Sequence, residues 1–472
     1  LSKGREAFST RQWRAAYDAL IAVRRSGSLD PQDLWRLALA SYLIGEEDEF
    51  LSALQEAHQE CVDRKDPLAA VRYAFWLGLH LVNRDEIAQA TGWFGRAGRL
   101  LEGEDRDCVE KGYMVLQGAH QRLSAGDYEG SAGAAAEAAA IAQRFGDGDL
   151  LALALHLKGR ALIRQRRVQE GLALMDEAMV AVVTGELAPQ VTGLIYCSVI
   201  SACREVYDLG RLREWTAALN DWCDSQPDMV SYTGECRMYR AEILQHRGEW
   251  REALDEARRA AECFARGPLS NAGGLAFYRQ GEVRRLRGEL TAAEDAYRAA
   301  SLSGREPQPG LALLRLAQED PRAASASIRR VLAETKDHLR RARLLPAYIE
   351  ILVAMGDLDE ARRAHAELME VAEEYGSGVL GTLAAHAEGA IDLAAGNPTG
   401  ALVQLRRACR EWEALDAPYE AARARTLLGL ACRDLGDEDG AALELEAARA
   451  ELERLGAAPD VTRLDALVRR HP

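Results

Sequence analysis

The stretch Leu275–Ala300, LAFYRQGEVRRLRGELTAAEDAYRAA, holds the architecture in miniature. On both sides of RGEL its apolar residues recur at i, i+3, i+4 and i+7, the pattern of two amphipathic helices joined by a tight turn. Gly281 in the first helix, and Ala293 and Ala300 in the second, fall where the helices of such a pair cross, and a larger side chain there would hold the axes apart. One pair cannot bury its own apolar stripe, so neighbouring pairs have to stack on it.

The unit recurs. HRGEWREALDEARRA, RLRGELTAAEDAYRAA, AMGDLDEARRAHAEL, AAGNPTGALVQLRRA and DLGDEDGAALELEAA start at residues 246, 285, 354, 394 and 434. Their glycines, Gly248, Gly288, Gly356, Gly396 and Gly436, are about 40 residues apart, with one double interval. Degenerate copies fill that gap and run back to the start: AQEDPRAASASIRRVL, YDLGRLREWTAALNDW, RQRRVQEGLALMDEA, SAGDYEGSAGAAAEA, NRDEIAQATGWFGRA, IGEEDEFLSALQEA and STRQWRAAYDAL. About twelve helix pairs account for the chain.

Composition agrees. The 472 residues are 48% hydrophobic and only 6% aromatic, with 13 prolines, as suits a chain of good helix formers. There are 59 basic and 74 acidic side chains, a net charge of −15, so the surface repels phosphate backbones and is not expected to bind DNA by itself. No apolar run reaches the roughly 20 residues of a membrane helix, and the first residues, LSKGREAFSTRQW, lack a charged-then-apolar leader; the expected compartment is cytoplasmic, without membrane contact. Nine scattered cysteines without a C-x-x-C pair suit buried thiols in a reducing compartment.

The residues Phe277, Gly281, Gly288, Ala293, Tyr297 and Ala300 resemble the tetratricopeptide repeat. Partial matches occur at Gly78, Ala90, Phe94 and Ala97; at Gly159, Gly171, Met175 and Ala178; and at Gly429, Gly436, Ala441, Leu445 and Ala448. The expected fold is all-α, a tetratricopeptide-like α-α superhelix or solenoid, although a spacing near 40 exceeds the family's usual 34. A narrower resemblance covers LDAPYEAARARTLLGLACRDLGDEDGAALELEAARAELERLGAAPDVTRLDAL, which is similar to the stretch before the C-terminal helix-turn-helix of actinobacterial LuxR-type regulators. The phrases GREPQPGLALLRLAQ and ARLLPAYIEILVAMGDLDEAR fit the same group. This resemblance implies the sensing and oligomerising part of a transcription regulator, with the DNA-binding domain absent from this chain.

Three segments are expected: N-terminal and central repeats over 1–304, further repeats over 305–458 after a Pro-rich break, and a capping helix or stub over 459–472. Pro307 and Pro309 shorten one first helix to about GLALLRLAQ, and Pro346 is expected to kink the next. Val461, Leu464, Leu467 and Val468 have helical spacing, while Arg469, Arg470 and His471 break from the acidic body and favour a stub over an end.

Catalytic signatures are missing: no G-x-x-x-x-G-K-[ST], no G-x-S-x-G, no H-E-x-x-H and no Rossmann glycines after a strand. No enzymatic activity, cofactor or metal is expected, and the nine histidines lack paired ligand spacing, although His120 and His156 lie one repeat apart. Tetratricopeptide arrays expose their first helices on a concave wall, and registering each unit on the crossing small residue turns Tyr113, His120, His156, Arg160, Arg204, Tyr207, Glu242, Tyr278, Glu282, Arg343 and Glu350 inward. Arg160 and Arg204 precede Glu242 and Glu282, a change of sign suited to a zwitterionic peptide or, more blandly, to pairing across adjacent helices. The Pro-rich step leaves either a bend or a pocket lined by Tyr278, Arg315, Arg343 and Glu350. The function expected is a sensor that binds a peptide, small-molecule or protein effector, with a possible homo-oligomer. The alternative is a stand-alone scaffold for partner proteins, and a basic helix-turn-helix encoded beyond residue 472 separates the two.

Overall fold

A computed structural model describes residues 1–266 and 273–469, so the expectation for Arg470 and His471 lies outside the described residues. Twenty-six helices and no strand occur among them. The founding stretch folds as expected: helix Gly273–Leu286, a turn at Arg287–Glu289, then helix Leu290–Leu302. The turn is closed by Gly288 N–H donating to Arg285 O at 3.0 Å and Glu289 N–H to Arg284 O at 2.9 Å, which requires a left-handed Gly288 with φ of +81°. The other four repeat glycines, Gly248, Gly356, Gly396 and Gly436, also have positive φ. In the degenerate units Asp85, Arg166, Tyr207 and Glu319 take this conformation instead, which hid the repeat there. Asp127, Asp147, Asn397 and Asp437 begin second or first helices by accepting the N–H three residues on, an N-cap that stabilises each helix by about 1 kcal/mol.

The crossings explain the small residues. A Cβ at Gly281 would lie 2.6 Å from Tyr297 Cε1, and Gly78, Gly159, Gly389 and Gly429 meet Phe94, Met175, Leu405 and Leu445 in the same way. In every case the partner stands sixteen residues further on, so one geometric relation is repeated along an all-α, tetratricopeptide-like series of helix pairs. The helix Gly310–Ala317 is shortened after Pro307 and Pro309 as expected. Pro346 behaves otherwise. It does not kink a helix but sits in the first turn of Leu345–Met355, where its missing N–H costs nothing, and the short helix His338–Ala342 precedes it.

The chain divides into two compact units: Leu1–Cys203 with Glu214–Cys236 and Glu262–Ser270, and Arg204–Arg213 with Arg237–Ala261 and Asn271–Pro472. Within each, the chain returns onto itself, beyond the neighbour-to-neighbour contacts of a simple repeat array. In the first unit Val230 N–H donates to Leu43 O at 2.7 Å, Ser231 Oγ donates to Tyr42 O at 2.5 Å, and Trp13, Leu39, Leu43, Ile44, Met229 and Tyr232 share one core. In the second, Arg247 pairs with Asp416 at 2.9 Å, Trp250 meets Tyr419 edge-on, and Trp250, Val283, Leu286, Leu452, Leu455 and Leu464 pack together. Leu464 therefore ties the expected capping helix, here Ala458–Arg469, to helices far earlier in the sequence. Trp35, half-buried, packs against Tyr73 and Trp76. No disulfide joins the nine cysteines, six of which are buried. Among the described residues no helix is long and apolar enough to cross a membrane.

Candidate functional site

Most of the candidate positions fall into separate polar clusters, and the clusters differ in how completely they are paired. In the first unit, helix Val109–Ser124 carries Tyr113, whose hydroxyl donates to Asp147 at 3.2 Å. Arg72 on helix Pro67–Asn83 pairs with Glu110 at 2.8 Å and Asp147 at 3.3 Å, and its guanidinium lies 5.6 Å from the centre of the Tyr113 ring. Burial, reinforced by Asp147, pushes the Tyr113 hydroxyl far up, so it remains a donor. Further along, Arg160 donates to Ser198 O at 3.3 Å. Burial, with help from Arg160 and His120, pushes the buried His156 imidazole down to about 3, and burial and Arg160 lower His120 as well. These two histidines and Arg160 thus feel one another electrostatically. Among the described residues no group of three or more His, Cys, Asp or Glu side chains has the arrangement of a metal site.

In the second unit the repeat register gathers a different set. Helix Thr233–His246 presents Glu242, Gln245 and His246, and helix Gly273–Leu286 presents Tyr278, Arg279, Glu282 and Arg285. Positions three and four apart share a helix face, which is why these side chains meet. Glu242, 7% exposed, pairs with Arg279 at 2.8 Å and with Arg204 at 3.6 Å; Arg279, 5% exposed, also donates to Gln245 Oε1 at 2.9 Å. Burial alone would raise the Glu242 carboxyl, yet Arg279, Arg204, His246 and Arg343 hold it down at about 2. Burial keeps His246 at about 4 and therefore neutral at pH 7. Tyr207, in its left-handed turn, is pushed up to about 12 by burial and feels Arg343, Glu242 and Arg204. Such a conformation is costly for a bulky side chain.

Arg305 completes this group. Its guanidinium lies 5.8 Å from the Tyr278 ring centre, and burial together with Arg343, Arg204 and Arg279 pushes it down to about 10. Arg279, Arg204 and Arg343 thus act on Glu242, Arg204 also feels Glu205, and Arg305 adds a fourth guanidinium to the group. The buried Nε atoms of Arg204, Arg279 and Arg305 have no hydrogen-bond partner, while Arg204 Nη1 and Glu242 Oε2 face each other at 3.6 Å. Buried polar atoms without a partner are rare inside native proteins and ask for an explanation.

The remaining candidates complete their own pairs. Glu282 accepts from Tyr297 Oη and pairs with Arg285 at 3.2 Å; a Cβ at Gly310 would collide with both Glu282 and Tyr297, so glycine is needed there. Glu350 pairs with Arg423 at 2.7 Å and Arg463 at 3.6 Å. Arg315 pairs with Glu294 at 2.8 Å and donates to Gln318 at 2.7 Å. The pocket expected from Tyr278, Arg315, Arg343 and Glu350 is thus divided: Tyr278 and Arg343 face the arginine group, while Arg315 and Glu350 are engaged elsewhere. Arg279, His246 and Arg305 were not among the expected residues. Arg279 adjoins Tyr278 and faces Glu242 on the neighbouring helix, and Arg305 lies in the irregular run GREP that no helical register covers.

No family model matches the chain, and no curated protein matches it. Among solved structures it is similar to a chain in the "Crystal structure of APC/C hetero-tetramer Cut9-Hcn1", with a TM-score of 0.42 and 12% identity over 98% of this chain and 95% of that one. It is also similar to the "Crystal Structure of Rap Protein Complexed with Competence and Sporulation Factor", with a TM-score of 0.44 and 14% identity over 82% of this chain and 98% of that one. At these scores the likeness carries no argument about ligand or partner.

Proposed function

We propose that the chain is a non-catalytic binding module whose ligand is a peptide, a small molecule or a protein segment that enters the group formed by Arg204, Tyr207, Glu242, Tyr278 and Arg343. The observation that carries this reading is the set of buried, unpartnered Nε atoms on Arg204, Arg279 and Arg305. Each one left unmade costs about 1–3 kcal/mol, and here three of them accompany an excess of guanidiniums over carboxylates. The resemblance over Leu415–Leu467 supports a role in transcription regulation of the LuxR type. In that mechanism ligand binding favours one state of the module by about 1–3 kcal/mol, and a DNA-binding domain reads out the change.

Native mass spectrometry of the chain purified from its own host tests the binding reading. An adduct of constant mass is expected, lost in R204Q and R305Q; an adduct-free wild type, or one retained by both variants, would count against it. The regulatory part is tested separately by reading the coding sequence beyond residue 472. A basic helix-turn-helix of about 60 residues supports it, and an in-frame stop leaves a scaffold for partner proteins.

A further inference from the structure

We infer that Arg204, Arg279, Arg305 and Arg343 form a subsite for a phosphoryl group, a proposal that rests on the binding-module reading and names the chemistry of its ligand. Glu242 compensates one of the four charges, being paired directly with Arg279 and Arg204. Glu205 also acts on Arg204, so four guanidiniums share two carboxylates and two positive charges remain in excess in the second unit. This imbalance is local. Elsewhere in the unit Arg285 is matched by Glu282, and Arg423 is shared by Glu350 and Glu420.

Buried like charges are expensive, and folding tolerates them where something else repays the cost. A single carboxylate brings one negative charge, which would leave one cation uncompensated. A phosphate monoester brings between one and two charges and three acceptor oxygens, and guanidinium donors match it in geometry as well as in sign. Donors are left over in the group: Nε of Arg204, Arg279 and Arg305 lack hydrogen-bond partners. The stem and head of Arg305 are positioned independently of any anion, with its Cβ against Gly274 and its guanidinium near the Tyr278 ring. Tyr207 and Tyr278 keep their protons under burial and can donate.

Isothermal titration with inorganic phosphate, O-phosphoserine, citrate and acetate, at constant ionic strength, tests the proposal. Inorganic phosphate and O-phosphoserine are expected to bind saturably, R305Q is expected to weaken both by about tenfold or more, and R305K less than R305Q. R305Q is also expected to unfold no more easily than wild type in the absence of ligand, because it removes a repelled charge; this guards against loss of fold as the cause. Absence of saturable phosphate binding overturns the proposal, as does binding equal in wild type and R305Q, or a preference for acetate or citrate over both phosphates. Should phosphate fail while the adduct of the mass spectra still depends on Arg204 and Arg305, the phosphoryl assignment falls and the binding module stands. Loss of both removes the module itself.

Discussion

Arg72 in the first unit and Arg204 in the second both project from first helices toward buried carboxylates, yet they belong to different kinds of cluster. Arg72 has two carboxylates and an aromatic face, Glu110, Asp147 and Tyr113, and the charges there are met. Arg204 shares one carboxylate with Arg279 while Arg305 and Arg343 add further positive charge. The first cluster holds helices in register. The second carries more guanidiniums than carboxylates, an excess that the proposed phosphoryl group would offset, and this difference separates architecture from the proposed site more sharply than the identity of any one residue.

The comparison can be broken at its strongest point by Glu242→Gln. Removing the carboxylate that pairs directly with Arg279 and Arg204 leaves the guanidiniums without their nearest counter-charge, and a loss of about 3–5 kcal/mol is expected in urea unfolding. A loss below about 1 kcal/mol would mean that water already screens the group.

Acid titration gives the next largest effect. His156 has a folded value near 3, below the ordinary 6.5, so the unfolded chain takes up a proton that the folded chain refuses. Its contribution to stability is complete above pH 6.5 and is lost as the pH falls from there toward 3, at up to about 1.4 kcal/mol per pH unit. His246 acts in the same direction down to about 4, whereas Glu242 stays ionised until about 2. The variant H156N is expected to flatten the dependence of the unfolding midpoint on pH between 6.5 and 4; an unchanged slope would show that the imidazole is protonated in the fold.

Arg72→Gln is expected to cost less, about 1–2 kcal/mol. It strands Glu110, 6% exposed, but Arg72 itself is 44% exposed on its side chain and partly screened. Phosphate should not alter this loss. The smallest effect belongs to the exposed pair Arg362 and Asp359, 3.3 Å apart, where R362Q is expected to change the midpoint by less than about 0.5 kcal/mol.

Much of this was legible in the sequence because repetition exposes it. The glycine at each crossing and the left-handed glycine at each turn answer to backbone geometry that only one residue type satisfies, so Gly281 and Gly288 could be read directly. Register then brought Arg204, Tyr207, Glu242, Tyr278 and Arg343 onto one list. Periodicity could not divide that list into paired and unpaired charges, since pairing depends on distances between different helices. Nor could it find Arg305, which follows the second helix of its pair, or the contacts by which Leu43 meets Val230 and Trp250 meets Tyr419, which join residues many repeats apart. Pro346 was misread because a proline within an apolar run looks the same whether it interrupts a helix or begins one.

The urea midpoint measured with and without O-phosphoserine, in wild type, R72Q and R305Q, tests the contrast most directly. At a ligand concentration about 100 times the Kd, wild type and R72Q should each gain about 2.7 kcal/mol and R305Q little or nothing. An equal gain in all three, or none in wild type, would contradict the assignment of the arginine group as a site awaiting an anion.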